Sequence, residues 1–466
     1  MTSTQLPVAR QMRLARAAWA KLRERPAEPY DPAEEEPEEP KTYRAMDLTL
    51  RVGELLLASG EGTETVTEVM RSLAVAYGLP RAESAVTFTA ITLSCHPGKG
   101  AAPITGERLV RRRSPDYSKL VATHTLVEDA VLGTVDLDQA FERLRRIKHG
   151  PSRYPRWLIA TSLPLLAASA AVLNGGGMLV AGIAFIATFV ADRTTVLLAN
   201  RGIAEFYQLA AAAMIGSATG IVLIAGGVSL PASAIVTGAI MALLPGRALI
   251  ASVQDGITGA YVSSSARLLE VFYIVAAIVS GVGITVFAAV KLGITLPLGA
   301  LPATALSARP AQVLGAIGIS VTFALSLRAP VRALLTSAVG GGVIWATYVL
   351  LRDHQVPSVL ATGIAAALIG LVAHLVARWQ RSPALPYAVP IIGPLLPGTL
   401  LYQGLVEINL GEMNEGLLNL SQAMTVALAI AVGINVGGEL VRTLRSNGMV
   451  RVSPRNRPAA RRTRGY

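Results

Sequence analysis

From Trp157 to Leu440 the chain carries ten stretches of apolar sequence, near residues 157–173, 177–198, 206–227, 230–250, 266–290, 311–327, 331–351, 356–377, 384–404 and 419–440. Nothing else constrains the fold so much. A helix of about 20 apolar residues spans a bilayer. Inside lipid every backbone N–H and C=O must find its partner within the protein, which favours helices over open strands. Composition agrees: 52% of residues are hydrophobic and 15% are charged, against about 25% charged in an average soluble chain. The apolar half is rich in Ala, Gly, Ser and Thr, the residues that let helices approach closely in lipid. The expected fold is a polytopic α-helical membrane protein with about ten transmembrane helices, preceded by an N-terminal cytoplasmic α+β domain.

The formal net charge is +12, but the basic residues are concentrated in the tails, in the N-terminal domain and at the ends of apolar segments. They read as orientation signals, and no nucleic-acid partner is expected. With the N-terminal domain in the cytoplasm, Arg153, Arg156, Arg193, Arg201, Arg267, Arg328, Arg332, Arg378, Arg381, Arg442 and Arg445 lie near cytoplasmic ends. The other side receives Lys291, Arg309 and Arg352. Both termini are therefore expected inside, in a multi-pass protein of the cell membrane. Cys95 is the single cysteine, so there is no intrachain disulfide. One Cys-His pair, Cys95-His96, does not make a metal site, and no metal or cofactor is expected.

The spacing divides the chain into a tail over 1–42, a domain over 43–150, membrane halves over 151–305 and 306–445, and a basic tail over 446–466. The first tail is basic, able to lie on an anionic bilayer surface or to stay solvated, and then acidic and Pro-rich, with too little apolar surface to fold. It lacks the apolar core of a secretory signal. In the domain, Asp47–Ala58 and a segment from Thr63 to about Tyr77 have helical spacing, with Thr63 as the capping residue. Ala85–Ser94 alternates like a strand, Arg108–Arg113 suits a second, and Tyr117–Val131 and Asp138–Ile147 suit helices. Glu61, Glu64 and Glu68 cluster near a helix start, where carboxylates meet the positive dipole end.

Two apolar segments are interrupted. Leu243–Glu270 has a helix-breaking pair, Pro245-Gly246, followed by Arg247, Gln254, Asp255, Gly259, Arg267 and Glu270. Leu395–Gly411 repeats the pattern: Pro397 falls on Pro245, Gly398 on Gly246, Leu401 on Leu249, Glu407 on Asp255 and Gly411 on Gly259. Charges at membrane depth are costly and mark pathways or sites. Broken helices in corresponding places of two halves mark a transporter's binding site. Five spans per half is an odd number, so the halves are expected to be inverted relative to each other, as alternating access requires.

These residues give the chain its resemblance to the threonine/serine exporter family of bacterial membrane proteins. It is carried by ELLLASGEGTETVTEVMRSLAVAYGL, VTFTAITLS and RRRSPDY in the N-terminal part. In the membrane part it is carried by MALLPGRALIASVQDGITGAYVSSSARLLE and IIGPLLPGTLLYQG, and together these span about Asp47 to Arg442. The resemblance implies a cytoplasmic N-terminal domain, ten transmembrane helices, and export of threonine and serine driven by the proton motive force.

A threonine zwitterion needs donors for its carboxylate and acceptors for its ammonium. Helix ends freed at Pro245-Gly246 and Pro397-Gly398 supply backbone groups. Asp255, Glu270 or Glu407 could meet the ammonium or carry the coupling proton, since a desolvated carboxylate holds a proton more tightly. Glu270 could equally form an ion pair with Arg267 on one helix face, and Asp192 with Arg193 at the membrane interface. Gln254, Tyr261, Ser263, Ser264, Tyr402, Gln403 and Asn409 are candidate hydrogen-bond partners. The expected partners are the amino acid, protons and the lipid bilayer, with a homo-oligomer left open. Two other classes stay open: a membrane-anchored enzyme with its site in the N-terminal domain, and an uncoupled channel.

Overall fold

The alternating run Ala85–Ser94, expected as one strand, is a hairpin. Strands β1 (Glu83–Val86) and β2 (Ala90–Cys95) pair antiparallel, with Glu83 opposite Ser94 and Val86 opposite Ile91. Thr87 turns the chain: its N–H donates to the Ala90 carbonyl and its hydroxyl accepts from the Ala90 N–H, which leaves Phe88 at the tip. A side chain bonding the backbone in this way is what lets threonine compete with a continuing ladder. Strand β3 (Ile104–Leu109) adds to β2, so the order is β1-β2-β3, and the second strand lies earlier than its expected position. The computed structural model describes residues 41–79, 81–96, 102–110, 115–227, 232–294, 309–409 and 411–444. The basic and acidic N-terminal stretches, the basic C-terminal tail and residues 111–113 of the expected strand lie outside the described residues.

Helices α1 (Lys41–Ser59) and α2 (Thr63–Ala76) cover the sheet face formed by Ile91, Leu93 and Cys95, all buried. The fit is close. A Cβ on Gly53 would fall 2.7 Å from the Met70 sulfur, and one on Gly106 would fall 2.7 Å from Leu50. Helix α3 spans Tyr117–Val131, as its spacing predicts, and Asp116 caps it by accepting from the Lys119 N–H. Helix α4 follows over Leu137–His149, capped by Asp136.

The apolar segments then fold as helices: α5 (Arg156–Leu173), α6 (Met178–Asn200), α7 (Glu205–Ala225), α8 (Ala232–Leu243), α9 (Gly246–Ile257), α10 (Tyr261–Lys291), α11 (Pro310–Ser326), α12 (Val331–Asp353), α13 (Ser358–Trp379), α14 (Leu385–Ile391), α15 (Gly398–Asn409) and α16 (Met413–Leu444). Seven of these are long and apolar enough to cross a membrane, and the count is eight if α8 and α9, bent by 50° at their break, form one span. Helix α11 is apolar but shorter, and α14 and α15 are separated by a 3-10 turn, Gly393–Leu395. The protein is therefore a polytopic helical membrane protein.

The pairings within the first group of helices recur within the second. Helix α5 packs on α6 as α11 does on α12, α7 on α10 as α13 on α16, and α9 on α10 as α15 on α16. Between the groups, α5 packs on α11, and α9 packs on α16 as α15 does on α10. Small residues permit these crossings. A Cβ on Gly370 would lie 2.5 Å from the Ile434 carbonyl, and Gly281 presses against the Ala210 carbonyl between α10 and α7. Without a hydrophobic drive between helices in lipid, such close backbone approach supplies the attraction.

Candidate functional site

The two Pro-Gly breaks meet. A Cβ on Gly246 would fall 2.8 Å from Leu396, the residue before Pro397, and a Cβ on Gly398 would fall 3.5 Å from Leu244, the residue before Pro245. Each break thus packs on the residue preceding the other. Proline removes a backbone donor and bars a regular helix through its own position, so α8 stops before Pro245 and the 3-10 turn that follows α14 stops before Pro397, and α9 and α15 each start at the glycine that follows.

Below the first break, α9 and α10 form a hairpin whose interior is polar. Ser252 and Ser264 bond reciprocally: each hydroxyl donates to the other residue's carbonyl at 2.8 Å. Helix α9 ends with Gly259 at φ +87°, its N–H bonding the Gly256 carbonyl and the Ala260 N–H bonding that of Asp255. That is the left-handed glycine stop, which satisfies carbonyls of the last helical turn. The second half builds the same hairpin 152 positions later. Gly411 has φ +93°, its N–H bonds Ile408 and the Glu412 N–H bonds Glu407. Where the first half has two serines, the second has Gly404 and Gly416, each pressed against the other's carbonyl, within 2.8 Å of where a Cβ would stand.

The carboxylates follow the same register. Asp255 is 1% exposed and accepts from Arg267 Nε at 2.8 Å, twelve residues on. Glu407, half-buried, accepts from Asn419 Nδ2 at 2.6 Å, also twelve residues on. So a cation fills the partner position in the first half and a neutral amide fills it in the second.

Asp255 has further partners, and they come from the N-terminal region. The backbone N–H of Thr63 and its hydroxyl both donate to Asp255 Oδ1, at 3.2 and 3.0 Å. Thr63 does not cap its own helix. Gly62 occupies the cap position and has no side chain to offer, so the carboxylate 192 residues away takes that role. Arg267 donates to the Glu61 carbonyl at 3.3 Å, and its guanidinium lies 5.3 Å from the centre of the Phe88 ring at the hairpin tip. Glu61 is itself buried, with Oε2 3.0 Å from His124 Nε2. It is not one of a row of helix-start carboxylates. Arg247, half-buried, reaches Gly60, where a Cβ would lie 2.5 Å from its Nη1. Tyr117 is wholly buried and its hydroxyl has no partner among the described residues; burial pushes the phenol well above its ordinary range, with Arg247 opposing and Glu61 reinforcing. The segment SGEGT therefore docks onto the α9–α10 hairpin. A second contact lies at the end of α11: the Tyr117 and Ser118 N–H groups donate to the Leu327 and Arg328 carbonyls, and Tyr154 Oη donates to Ala329 at 2.5 Å.

The structure thus brings together Pro245, Gly246, Pro397 and Gly398 in one cluster. Arg247, Asp255 and Arg267 form another with the N-terminal region, and Glu407 bonds Asn419. Arg267 pairs with Asp255 and so is not reserved for Glu270, which is half-buried one turn beyond it. Asp192 pairs with its neighbour Arg193, as expected. Gln254 and Gln403 are half-buried, Gly259 and Tyr261 are exposed, and Ser263 is buried. The side chains of Tyr402 and Asn409 lie outside the described residues. Nothing local in the sequence marks Thr63, Glu61, Phe88 or His124 as residues of this site. No spacing rule links SGEGT to a carboxylate so distant in the chain.

A helical membrane bundle with two interlocked broken helices and a docked α+β region defines a membrane protein of the transporter class. Sequence comparison makes it specific. Residues 47–288 match the family described as "Putative threonine/serine exporter", and residues 312–438 match that described as "Threonine/Serine exporter, ThrE". The chain belongs to the threonine/serine exporter family. It is 32% identical over 414 residues to a protein of Mycobacterium tuberculosis named "Probable threonine/serine exporter", covering 87% of this chain and 78% of that one. It is 28% identical to the threonine/serine exporter of Corynebacterium glutamicum, covering 86% and 83%. A shorter relative in Klebsiella aerogenes, named "Probable succinate transporter subunit", is 27% identical over 46% of this chain and 81% of its own length. No solved structure matches.

Proposed function

We propose that this chain is a secondary active exporter of small polar amino acids, threonine and serine, across the cytoplasmic membrane. It is driven by the proton motive force and works by alternating access between two five-helix inverted halves, 151–305 and 306–445, with ten spans in all. The observation that carries this reading is the reciprocal packing of the two Pro-Gly breaks, in a chain whose relatives are named exporters and transporters. A pair of broken helices meeting at the centre is the element a transporter moves to expose a site to either side. The repeated hairpin, carboxylate and glycine stop support two equivalent halves, as does a half-length relative named as a subunit.

The orientation proposed from the arginines, with both termini inside, places the N-terminal domain (43–150) in the cytoplasm. Its contacts with the bundle support this: they fall at the α9–α10 turn, the α11–α12 turn and the start of α5, all ends assigned to the cytoplasm. In that orientation the hairpin with Glu407 faces outward. Asp255 is held by a cation and two Thr63 donors. Glu407 has one amide partner and partial exposure, so we assign it the coupling proton and Asp255 the docking of the cytoplasmic domain. Pro245, Gly246, Pro397 and Gly398 form the moving centre, with Gln254 and Gln403 as candidate substrate partners on the helices that follow the breaks. The test is efflux from cells preloaded with labelled amino acids, with and without a proton uncoupler. Uncoupler-sensitive loss of threonine and serine supports the reading, and efflux that only follows the gradient makes the chain a channel.

A further inference from the structure

Besides the broken helices, the bundle holds a cavity of about 260 Å³ between α5, α6, α7 and α8. Ala242 and Leu243, at its edge, lead directly into the Pro245-Gly246 break. Water occupies about 30 Å³ per molecule in the liquid, so a solute of several heavy atoms fits.

The polar lining is Thr188, Asp192, Thr195, Glu205 and Gln208. Their bonds leave acceptors to spare. Arg193 donates to Asp192 Oδ2, and among the described residues no bond is made to Oδ1. Glu205 is exposed at the start of α7 and has no partner among the described residues. Gln208 spends its amide N–H on the Ile203 carbonyl, leaving its oxygen. Thr195 donates to the Asp192 carbonyl at 2.7 Å. Thr188 is the anomaly. It is 4% exposed, and its hydroxyl has no hydrogen-bond partner among the described residues, although Thr194 on the same helix bonds back to the carbonyl four residues earlier. A buried hydroxyl left without its usual backbone bond costs roughly 1–3 kcal/mol, and such a cost is kept where a ligand recovers it.

We propose that this cavity is the cytoplasmic entry site for the substrate and that it recognises the ammonium group of a small polar amino acid. The inference rests on the exporter reading above. Two carboxylates and an amide oxygen suit an ammonium, and Thr188 is the hydroxyl placed to bond a polar side chain. The same carboxylates repel a dicarboxylate, so the substrate class differs from that in the name of the half-length relative. The proposed orientation puts the C-terminal end of α6 and the start of α7 on the cytoplasmic side, where an exporter loads.

The experiment is equilibrium binding of labelled threonine, and separately of labelled succinate, to the purified full chain in detergent. It is paired with efflux from preloaded cells. Glu205→Gln changes an exposed residue and Thr188→Val keeps its shape, so both variants fold. Each is expected to weaken threonine binding about tenfold, 1.4 kcal/mol, and to raise the half-saturating internal threonine while leaving the maximal rate near normal. Ala191→Phe, which fills the cavity, abolishes binding. Threonine binding unchanged in Glu205→Gln and Thr188→Val, in a wild type that exports threonine, overturns the cavity and leaves the exporter reading intact. Succinate binding tighter than threonine overturns the ammonium assignment. A wild type that exports neither threonine nor serine sinks the exporter reading itself, and the entry-site assignment falls with it.

Discussion

Asp255 caps the helix that begins at Thr63. Its Oδ1 accepts both the Thr63 N–H at 3.2 Å and the Thr63 hydroxyl at 3.0 Å, in a site where Asp255 is 1% exposed. A helix start carries orphan donors and a partial positive charge, and here a residue of the membrane bundle satisfies it. The geometry makes the docking of the N-terminal region and the Asp255–Arg267 ion pair a single electrostatic unit.

Asp255→Asn is therefore expected to act first on structure. Removing one partner of a buried ion pair costs about 3–5 kcal/mol, because the other charge stays buried. Thermal unfolding of the purified protein should drop markedly for Asp255→Asn and for Arg267→Gln. The double variant Asp255→Leu, Arg267→Met should lose less than either single one. Equal and additive losses would mean that the two residues are energetically independent.

The contact between the breaks gives a rescue test. Gly246→Leu drives a side chain into Leu396, which already lies 2.8 Å from where a Cβ would stand. Efflux should fall by more than tenfold while the protein still reaches the membrane. Adding Leu396→Ala makes room and should restore much of the rate. Gly398→Ala, with 3.5 Å of clearance, should be close to neutral. Failure of Leu396→Ala to rescue would show that the meeting of the breaks does not limit transport.

Glu407→Gln separates coupling from binding. With a neutral partner in Asn419, the change leaves no charge stranded and should cost less than about 1.5 kcal/mol in stability. Uphill threonine export should vanish while exchange of labelled for unlabelled threonine persists, since exchange moves no net proton. Loss of both would instead make Glu407 a substrate ligand.

Orientation is open to cysteine labelling. Cys95 is buried, and burial pushes its thiol up, so the native chain gives little background. Asn414→Cys should react with an impermeant maleimide in intact cells, and Ser152→Cys only after the membrane is opened; both positions are exposed. The reverse pattern inverts the scheme.

By itself the sequence determined the membrane class, the positions of the apolar segments and the correspondence of the two broken helices. Those properties depend on residue type along one local stretch: hydropathy, proline's missing donor and glycine's left-handed turn. Tyr117–Val131 was legible to the residue, because its cap and its period are both local. The hairpin at Thr87 was not, since strand-forming residues run straight through the turn and only the Thr87–Ala90 bonds close it. The partners of the charges were beyond reach for a stronger reason. Arg267 has Glu270 three residues away and Asp255 twelve away, and helical spacing favours the nearer. The hairpin folds α9 against α10 and brings the farther carboxylate into contact. Thr63 meets Asp255 across 192 residues, and no pattern along the chain encodes a pairing at that distance. Only the packing of the N-terminal region on the bundle decides it, because burial leaves a helix start with no cap of its own and a carboxylate with no water to turn to.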